Sequence, residues 1–409
     1  MFVQPFWSYR EADGGYLLVN HLTRRSAAFP AAVLDALEHA FEARPPAGDG
    51  EASLLAGAAE LDLVFPSEAA GTAWLDAHER GWQRELPLVD QIELTNRCPY
   101  SCRMCPRTYA MDRALGDMPL ELFERILEQL GGEQDYVALH HFGESLLHRE
   151  LPAAVAAARS RGVRTGLSCN PPTLRPELAH RLLDAGIANL VLSLDSLDPD
   201  TYRDIRGRSA RFDRADTHVR ALVQLRDAGE YDAWITLQMI NMRCNAREAD
   251  EFLAYCREVG VDRGVVVRMG RWDFDDDRVS ELGEFTSPGY DGYCSRPWTS
   301  VVVLWDGRVV PCCHDYNGAT VLGDLRTQTL REIWESEPVA RFRDQNGSYE
   351  MCRRCAFSRW AREEQRRGEG FRAFHRSRGT RARREWLNPA SVGRRNGRDL
   401  FDGFDVLEA

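Results

Sequence analysis

The run Leu94-Thr-Asn-Arg-Cys98-Pro-Tyr-Ser-Cys102-Arg-Met-Cys105-Pro106 decides how this chain is read. Its cysteines are spaced C-x3-C-x2-C and follow directly on an apolar, strand-like segment, Val89 to Thr95. Three thiolates on so short a loop can hold three irons of a cubane cluster. The fourth iron is then left without a protein ligand, as catalytic metal sites keep one position open. A four-cysteine zinc site needs a fourth ligand nearby, and none follows before Cys169.

Outward from that loop, apolar segments alternate with segments of helical period. The pattern predicts strands at 89–95, 136–141, 163–169, 189–195, 232–240 and 264–269. Helices are expected near 119–130, 150–161, 175–185, 215–228 and 246–259. Strands and helices alternating at this spacing form a parallel sheet with crossover helices. Ligands of such sheets gather at the C-terminal ends of the strands, where the cysteine loop lies.

A second group of cysteines follows: Cys294, Cys312, Cys352 and Cys355, with Gly307, read as C-x12-G-x4-C and then C-x2-C. Ser300 to Val310 has a hairpin pattern with Asp306-Gly307 at the turn. Four thiolates close a cluster completely, or bind zinc equally well. Cys313 adjoins Cys312 and is the alternative ligand. Cys256 lies among helix-period apolar neighbours and reads as a core thiol.

Before the sheet, residues 1–85 form a separate unit. Strand-like pieces at Phe6–Tyr9 and Tyr16–His21 precede an amphipathic segment, Ala31–Ala43. A break rich in proline and glycine after Arg44 then leads to a second helical piece and Leu61–Pro66. Small strands with helices suggest a winged-helix-like α+β module. The expected organisation is this module (1–85), an α/β sheet domain (86–285), the second cysteine unit (286–358) and an arginine-rich tail (359–409). The tail reads as a solvated helix and loose end.

Composition narrows the function. A net charge of −11 and a pI near 5.5 speak against nucleic-acid binding. No apolar run reaches membrane-spanning length, and no signal peptide opens the chain. Eleven cysteines in such a chain argue for a cytoplasmic location, with reduced thiols and metal ligands rather than disulfides. The sequence contains arginine but no lysine, which excludes lysine Schiff-base chemistry and a phosphate-loop lysine.

The first cysteine run resembles the signature of radical S-adenosylmethionine (SAM) enzymes. The resemblance implies a partial (β/α)6 TIM-like barrel in the α/β class. It implies that SAM chelates the open iron through its amino and carboxylate groups. One electron then yields methionine and a 5′-deoxyadenosyl radical, which abstracts a substrate hydrogen. The family's Gly-Gly-Glu-Pro motif corresponds to Phe142-Gly143-Glu144-Ser145, with Phe142 and Ser145 departing from it. Gly143 and Glu144 then serve the SAM amino group, while Asn170, Ser193 and Arg206 are candidates for its ribose or carboxylate. Met104 stands where an aromatic often precedes the last cysteine, placed to pack near adenine.

The second group resembles the twitch subdomain, the short form of the SPASM domain, so the cofactors expected are SAM and two [4Fe–4S] clusters. Cys98, Cys102 and Cys105 would hold the first cluster, and Cys294, Cys312, Cys352 and Cys355 the auxiliary one. The one-auxiliary-cluster layout resembles aminocyclitol dehydrogenases and sugar epimerases. That resemblance implies a carbohydrate or aminocyclitol substrate, with flavodoxin or ferredoxin as electron donor. Epimerisation requires a thiol that returns hydrogen, with Cys244 the first candidate and Cys169 the second, both at strand ends. Oxidation requires only the auxiliary cluster as electron acceptor. Arg268, Arg271 and Trp272 follow the sixth strand, where a substrate would be gripped, whereas His148 and His314 read as structural. Two other readings stand beside this one. Residues 1–85 resemble the leader-binding module of peptide maturases, which gives a peptide substrate. A non-catalytic iron–sulfur electron-transfer protein is the third.

Overall fold

The computed structural model describes residues 1–269, 279, 281–283, 294–345, 348–353, 355, 371, 375 and 384–387, with 268 and 384–387 described by backbone alone. The chain opens with β1 (Phe2–Val3), β2 (Trp7–Ala12), β3 (Gly15–Asn20), β4 (Ser26–Pro30) and β5 (Val64–Phe65). β2, β3 and β4 form an antiparallel sheet, and β1 pairs with β5. Helices Val33–Phe41, Asp49–Glu60 and Glu68–Arg80 accompany them. The first helix buries Val33, Leu34, Ala36, Leu37 and Ala40, the one-faced pattern its sequence prescribes. Neither β4 nor the third helix was anticipated. β4 is a half-exposed edge of alternating accessibility, too weakly apolar to be read as a strand.

The parallel sheet follows as β6 (Leu88–Ile92), β7 (Tyr136–Ala138), β8 (Arg164–Cys169), β9 (Asn189–Ser193), β10 (Trp234–Asn241) and β11 (Arg263–Arg268). These are the six expected strands, in order, all parallel. The expected crossover helices are present, and a short one, Pro199–Arg206, is added. Side-chain parity divides the sheet into two faces. Val137, Leu167, Leu190, Leu192, Ile235, Leu237 and Met239 point to the helices and join the main core. Ala138, Gly166, Ser168, Val191 and Gln238 occupy the opposite, inner face, as the strand register requires.

The sheet does not close into a barrel. On the β6 side it continues through β12 (Ser300–Val303), β13 (Arg308–Val310) and β14 (Gly323–Asp324). β12 runs parallel to β6 and antiparallel to β13, so the hairpin of the second cysteine unit extends the barrel sheet itself. Gly307, at φ +86°, makes its turn.

At the far edge, a few residues of the arginine-rich tail are described, and the two with described side chains are not solvated. β15 (Arg384–Leu387) pairs antiparallel with β11. Phe371 and His375 are buried, and Phe371 joins the core of the N-terminal unit. His375 stacks on Trp7 at 4.0 Å between ring centroids, with its Nδ1 3.0 Å from the Trp7 carbonyl. Among the described residues, no helix is long and apolar enough to cross a membrane.

Candidate active site

The first cysteine loop leaves β6 through Glu93 and is tied down at its carbonyls. Arg107 donates to the carbonyls of Asn96 and Cys98 at 3.0 and 2.9 Å, and Thr108 Oγ1 donates to that of Cys102 at 2.9 Å. Asn96 accepts from Gly116 N and donates to the Ala114 carbonyl, and the Thr95 hydroxyl donates to the Gly116 carbonyl. The backbone N–H groups of Ser101 and Arg103 donate to carbonyls of the Pro199–Arg206 helix. With its backbone occupied in this way, the loop has its cysteine side chains left for a ligand.

Cys102 is buried, and Cys98 and Cys105 are half-buried. Burial pushes the Cys98 thiol up to about 12 and Cys105 up to about 11, and each also feels Cys102 nearby. Such thiols stay protonated until a metal displaces the protons, which makes their charge a consequence of loading. Among the described residues no three His, Cys, Asp or Glu side chains converge closely enough to hold a single metal ion. Mutually near but unconverged thiols suit a cube that offers each one a separate iron. The residues fit that group.

Behind the loop lies a buried charged network that unites most of the expected SAM residues. Glu144 is fully buried, and its Oε2 accepts from Asn170 N at 2.9 Å and from Asn170 Nδ2 at 2.7 Å. The Asn170 Oδ1 accepts from Arg206 at 2.8 Å, and Arg206 Nε donates to Asp195 at 2.5 Å. Asp195 also accepts from Ile240 N at 2.8 Å, so the network runs from the end of β7 to the end of β10. Arg206 Nη1 reaches within 3.9 Å of Cys102 Sγ. Burial pushes the Glu144 carboxyl up to about 7, against the hydrogen bonds it accepts. An ammonium group arriving beside it would favour the ionised form. Gly143 is required by close approach: a Cβ there would strike the Thr95 carbonyl of the cysteine loop.

The remaining expected residues separate. Ser193 ends β9 on the inner face, in register with Gln238. Met104 is buried in the main core, and Phe142 packs against Tyr316, with centroids 5.8 Å apart. Cys244 lies exposed on the loop after β10, near Arg103 and Asp204. Cys169 is buried on the helix side of the sheet, in the core with Leu167 and Leu190. Its thiol also lies near the Glu144 carboxyl and Tyr100 of the cysteine loop. Cys256 is a core thiol under Gly264. His148 is structural, its Nε2 2.8 Å from the Met118 carbonyl. Arg268 ends β11 with its side chain undescribed, and Arg271 and Trp272 lie outside the described residues.

The second cysteine set comes from three segments. Cys312 lies near Cys294 and Cys352, and Cys352 near Cys355. Cys313 lies near Cys294 and Cys312 as well as Arg296 and Asp90, so both adjacent thiols stand within this group.

One connection between the two sets escaped the sequence reading. Glu93, fully buried, binds Arg113 in a two-pronged pair at 2.7 Å. The same carboxylate accepts from Phe142 N at 3.3 Å and from Trp305 N at 3.2 Å, while Arg113 donates to the Tyr316 carbonyl at 2.6 Å. The strut therefore joins the Gly143–Glu144 segment to the hairpin that carries Cys312. A lone acid at the end of an apolar strand was its only sequence signal.

An open parallel sheet with a three-cysteine loop at its C-terminal edge defines a radical SAM fold. Residues 92–285 match the radical SAM superfamily, and residues 294–356 match the iron–sulfur cluster-binding SPASM domain. The chain carries these two domains in sequence, and its cofactors are SAM and two [4Fe–4S] clusters. It is 24% identical over 308 residues to the tungsten-containing aldehyde ferredoxin oxidoreductase cofactor-modifying protein of Pyrococcus furiosus, covering 65% of this chain and 86% of the relative. It is 26% identical over 305 residues to the PqqA peptide cyclase of Rhizobium meliloti, covering 66% and 79%. Its fold resembles that of Streptococcus suis SuiB bound to precursor peptide SuiA, with a TM-score of 0.52, 15% identity, and coverage of 87% of this chain and 93% of SuiB.

Proposed function

We propose that the protein is a radical SAM peptide maturase that modifies a precursor peptide held by residues 1–85. The observation that carries this reading is the N-terminal unit itself. A likeness to SuiB covering 87% of the chain must extend beyond the barrel and hairpin into that unit. Relatives matching the catalytic part include several PqqA peptide cyclases. Both lines favour a peptide over the carbohydrate or aminocyclitol expected from the cysteine count.

When bound, SAM and the first cluster supply a radical able to abstract hydrogen from an unactivated C–H bond. The protein's own residues do the rest. Glu144, Asn170 and Arg206 present polar atoms to SAM, Gly143 lets that segment press against the cysteine loop, and Met104 packs behind it. Cys294, Cys312, Cys352 and Cys355 hold an electron acceptor for a net oxidation such as cross-linking. A flavodoxin or ferredoxin supplies the first electron. Cys244 is exposed at the rim, and oxidation leaves it without a chemical duty.

The test is co-expression of the full chain with a short precursor peptide encoded beside its gene. Mass spectrometry should find that peptide short of hydrogen, and deleting residues 1–85 should abolish the change. Conversion of a free carbohydrate with no peptide present would overturn the reading.

A further inference from the structure

Among the buried polar atoms without a partner, one stands just past the end of β7. His141 stands just past β7, two residues before Gly143, with its Nδ1 2.9 Å from Oε1 of Gln91 in the first sheet strand. Its ring meets Phe142 edge-on at 4.6 Å, and Phe142 is itself pressed against Tyr316 of the second cysteine unit. Held on both sides, the ring has one orientation. Its Nε2 is buried and lacks any hydrogen-bond partner. Buried ring nitrogens are usually paired, and a ligand group would pair this one.

The surroundings narrow what Nε2 accepts. With the Gln91 carbonyl oxygen turned toward Nδ1, the proton is assigned to Nδ1 and Nε2 is left as a bare lone pair. Burial, with Arg113, His140, His314 and Arg296 around it, keeps the ring neutral. A lone pair repels an anion, and the nearby guanidinium groups leave no net charge that would draw in an ion of either sign. Those guanidinium groups are themselves engaged, Arg113 by Glu93 and Arg296 by Asp90. Arg296 also lies near Cys294 and Cys312, while Gly143, two residues on from His141, packs on Thr95 of the first cysteine loop. Half-buried neutral side chains, Ser168, Val191, Gln238 and Ile240, continue the inner wall.

We propose that His141 Nε2 is a substrate-binding atom that accepts a hydrogen bond from an uncharged O–H or N–H group of the substrate. The proposal rests on the radical SAM reading but not on the choice of peptide over sugar, because an amide N–H and a hydroxyl both satisfy it. It adds a selection rule, since the part of the substrate that reaches the inner wall is neutral.

The test uses the cluster-loaded full chain. His141→Phe keeps a ring and removes the acceptor, whereas His141→Gln supplies a carbonyl oxygen. For the peptide converted in the co-expression experiment, His141→Phe should raise KM about tenfold, with a smaller effect on kcat. His141→Gln should restore most of the affinity. Nitrogen-15 spectra of histidine-labelled protein should show Nε2 of His141 unprotonated at neutral pH. Its signal should move on saturation with N-methylacetamide, a peptide-group probe, or with glycerol, a polyol probe, and stay fixed with acetate. An unchanged KM in His141→Phe, a protonated Nε2, or a signal that neither neutral probe moves would overturn the assignment. If the wild type converts no peptide, the maturase reading fails, and the spectra still decide the role of His141.

Discussion

The two cysteine sets meet the same demand in opposite ways. The first takes three thiols from eight consecutive residues, so its geometry is built into one loop. What comes from afar is its support, the chain Glu144–Asn170–Arg206–Asp195 reaching across three strand ends. The second gathers its thiols from three segments and exists only when β12 lies along β6. A local site with distant support tolerates damage to its surroundings differently from a site that the fold itself assembles. The Glu93–Arg113 strut is where the two are tied together.

The largest expected effect comes from removing ligands. Replacing Cys98, Cys102 and Cys105 by alanine should lower iron from about eight to about four per chain and end SAM cleavage. Replacing Cys294 and Cys352 should remove a similar amount of iron while 5′-deoxyadenosine still forms and product does not. Zinc in place of the second set's iron would break the comparison, because that site would then be purely structural.

A smaller effect sharpens the role of the strut. Glu93→Leu leaves Arg113 buried without a counter-charge and should cost about 3–5 kcal/mol in denaturant unfolding. The double change Glu93→Leu/Arg113→Met should recover much of that stability yet still bind SAM more weakly. By contrast, Arg103→Ala removes an exposed partner of Asp204 and should cost under about 1 kcal/mol.

A further effect, spread over a pH interval, belongs to the support of the first set. Burial raises the Glu144 carboxyl from its ordinary 4.5 to about 7. Its protonated form is thus favoured by folding, a contribution fully present below about pH 4.5 and lost as pH rises through about 7. Without SAM, the wild type should lose roughly 3 kcal/mol relative to Glu144→Gln over that interval. SAM should reverse part of the loss. A flat difference between the two proteins across that interval would show that the hydrogen bonds from Asn170 and Leu146 outweigh the burial.

What the sequence revealed divides along the same line. The triplet and the six strands were legible because spacing and period are local. The parity of Cys169 was legible too, though it was not used: it shares its face with Leu167, which already marked the helix side. The strut, the Gln91–His141 pair and the alignment of β12 with β6 join residues 20 to more than 200 positions apart, and no local pattern announces them. The described part of the tail was misread for a related reason. Arginine-rich composition averages over a segment, whereas Phe371 and His375 act singly at positions fixed by Trp7.

That contact also fixes an order of events during synthesis. Trp7 leaves the ribosome long before His375 is made, yet the two rings stack in the finished core. The N-terminal unit therefore completes its core only after residue 375 has emerged. The parallel sheet can settle in the meantime, and β15 then pairs at its edge. Damage near residue 375 would accordingly be felt at residue 7.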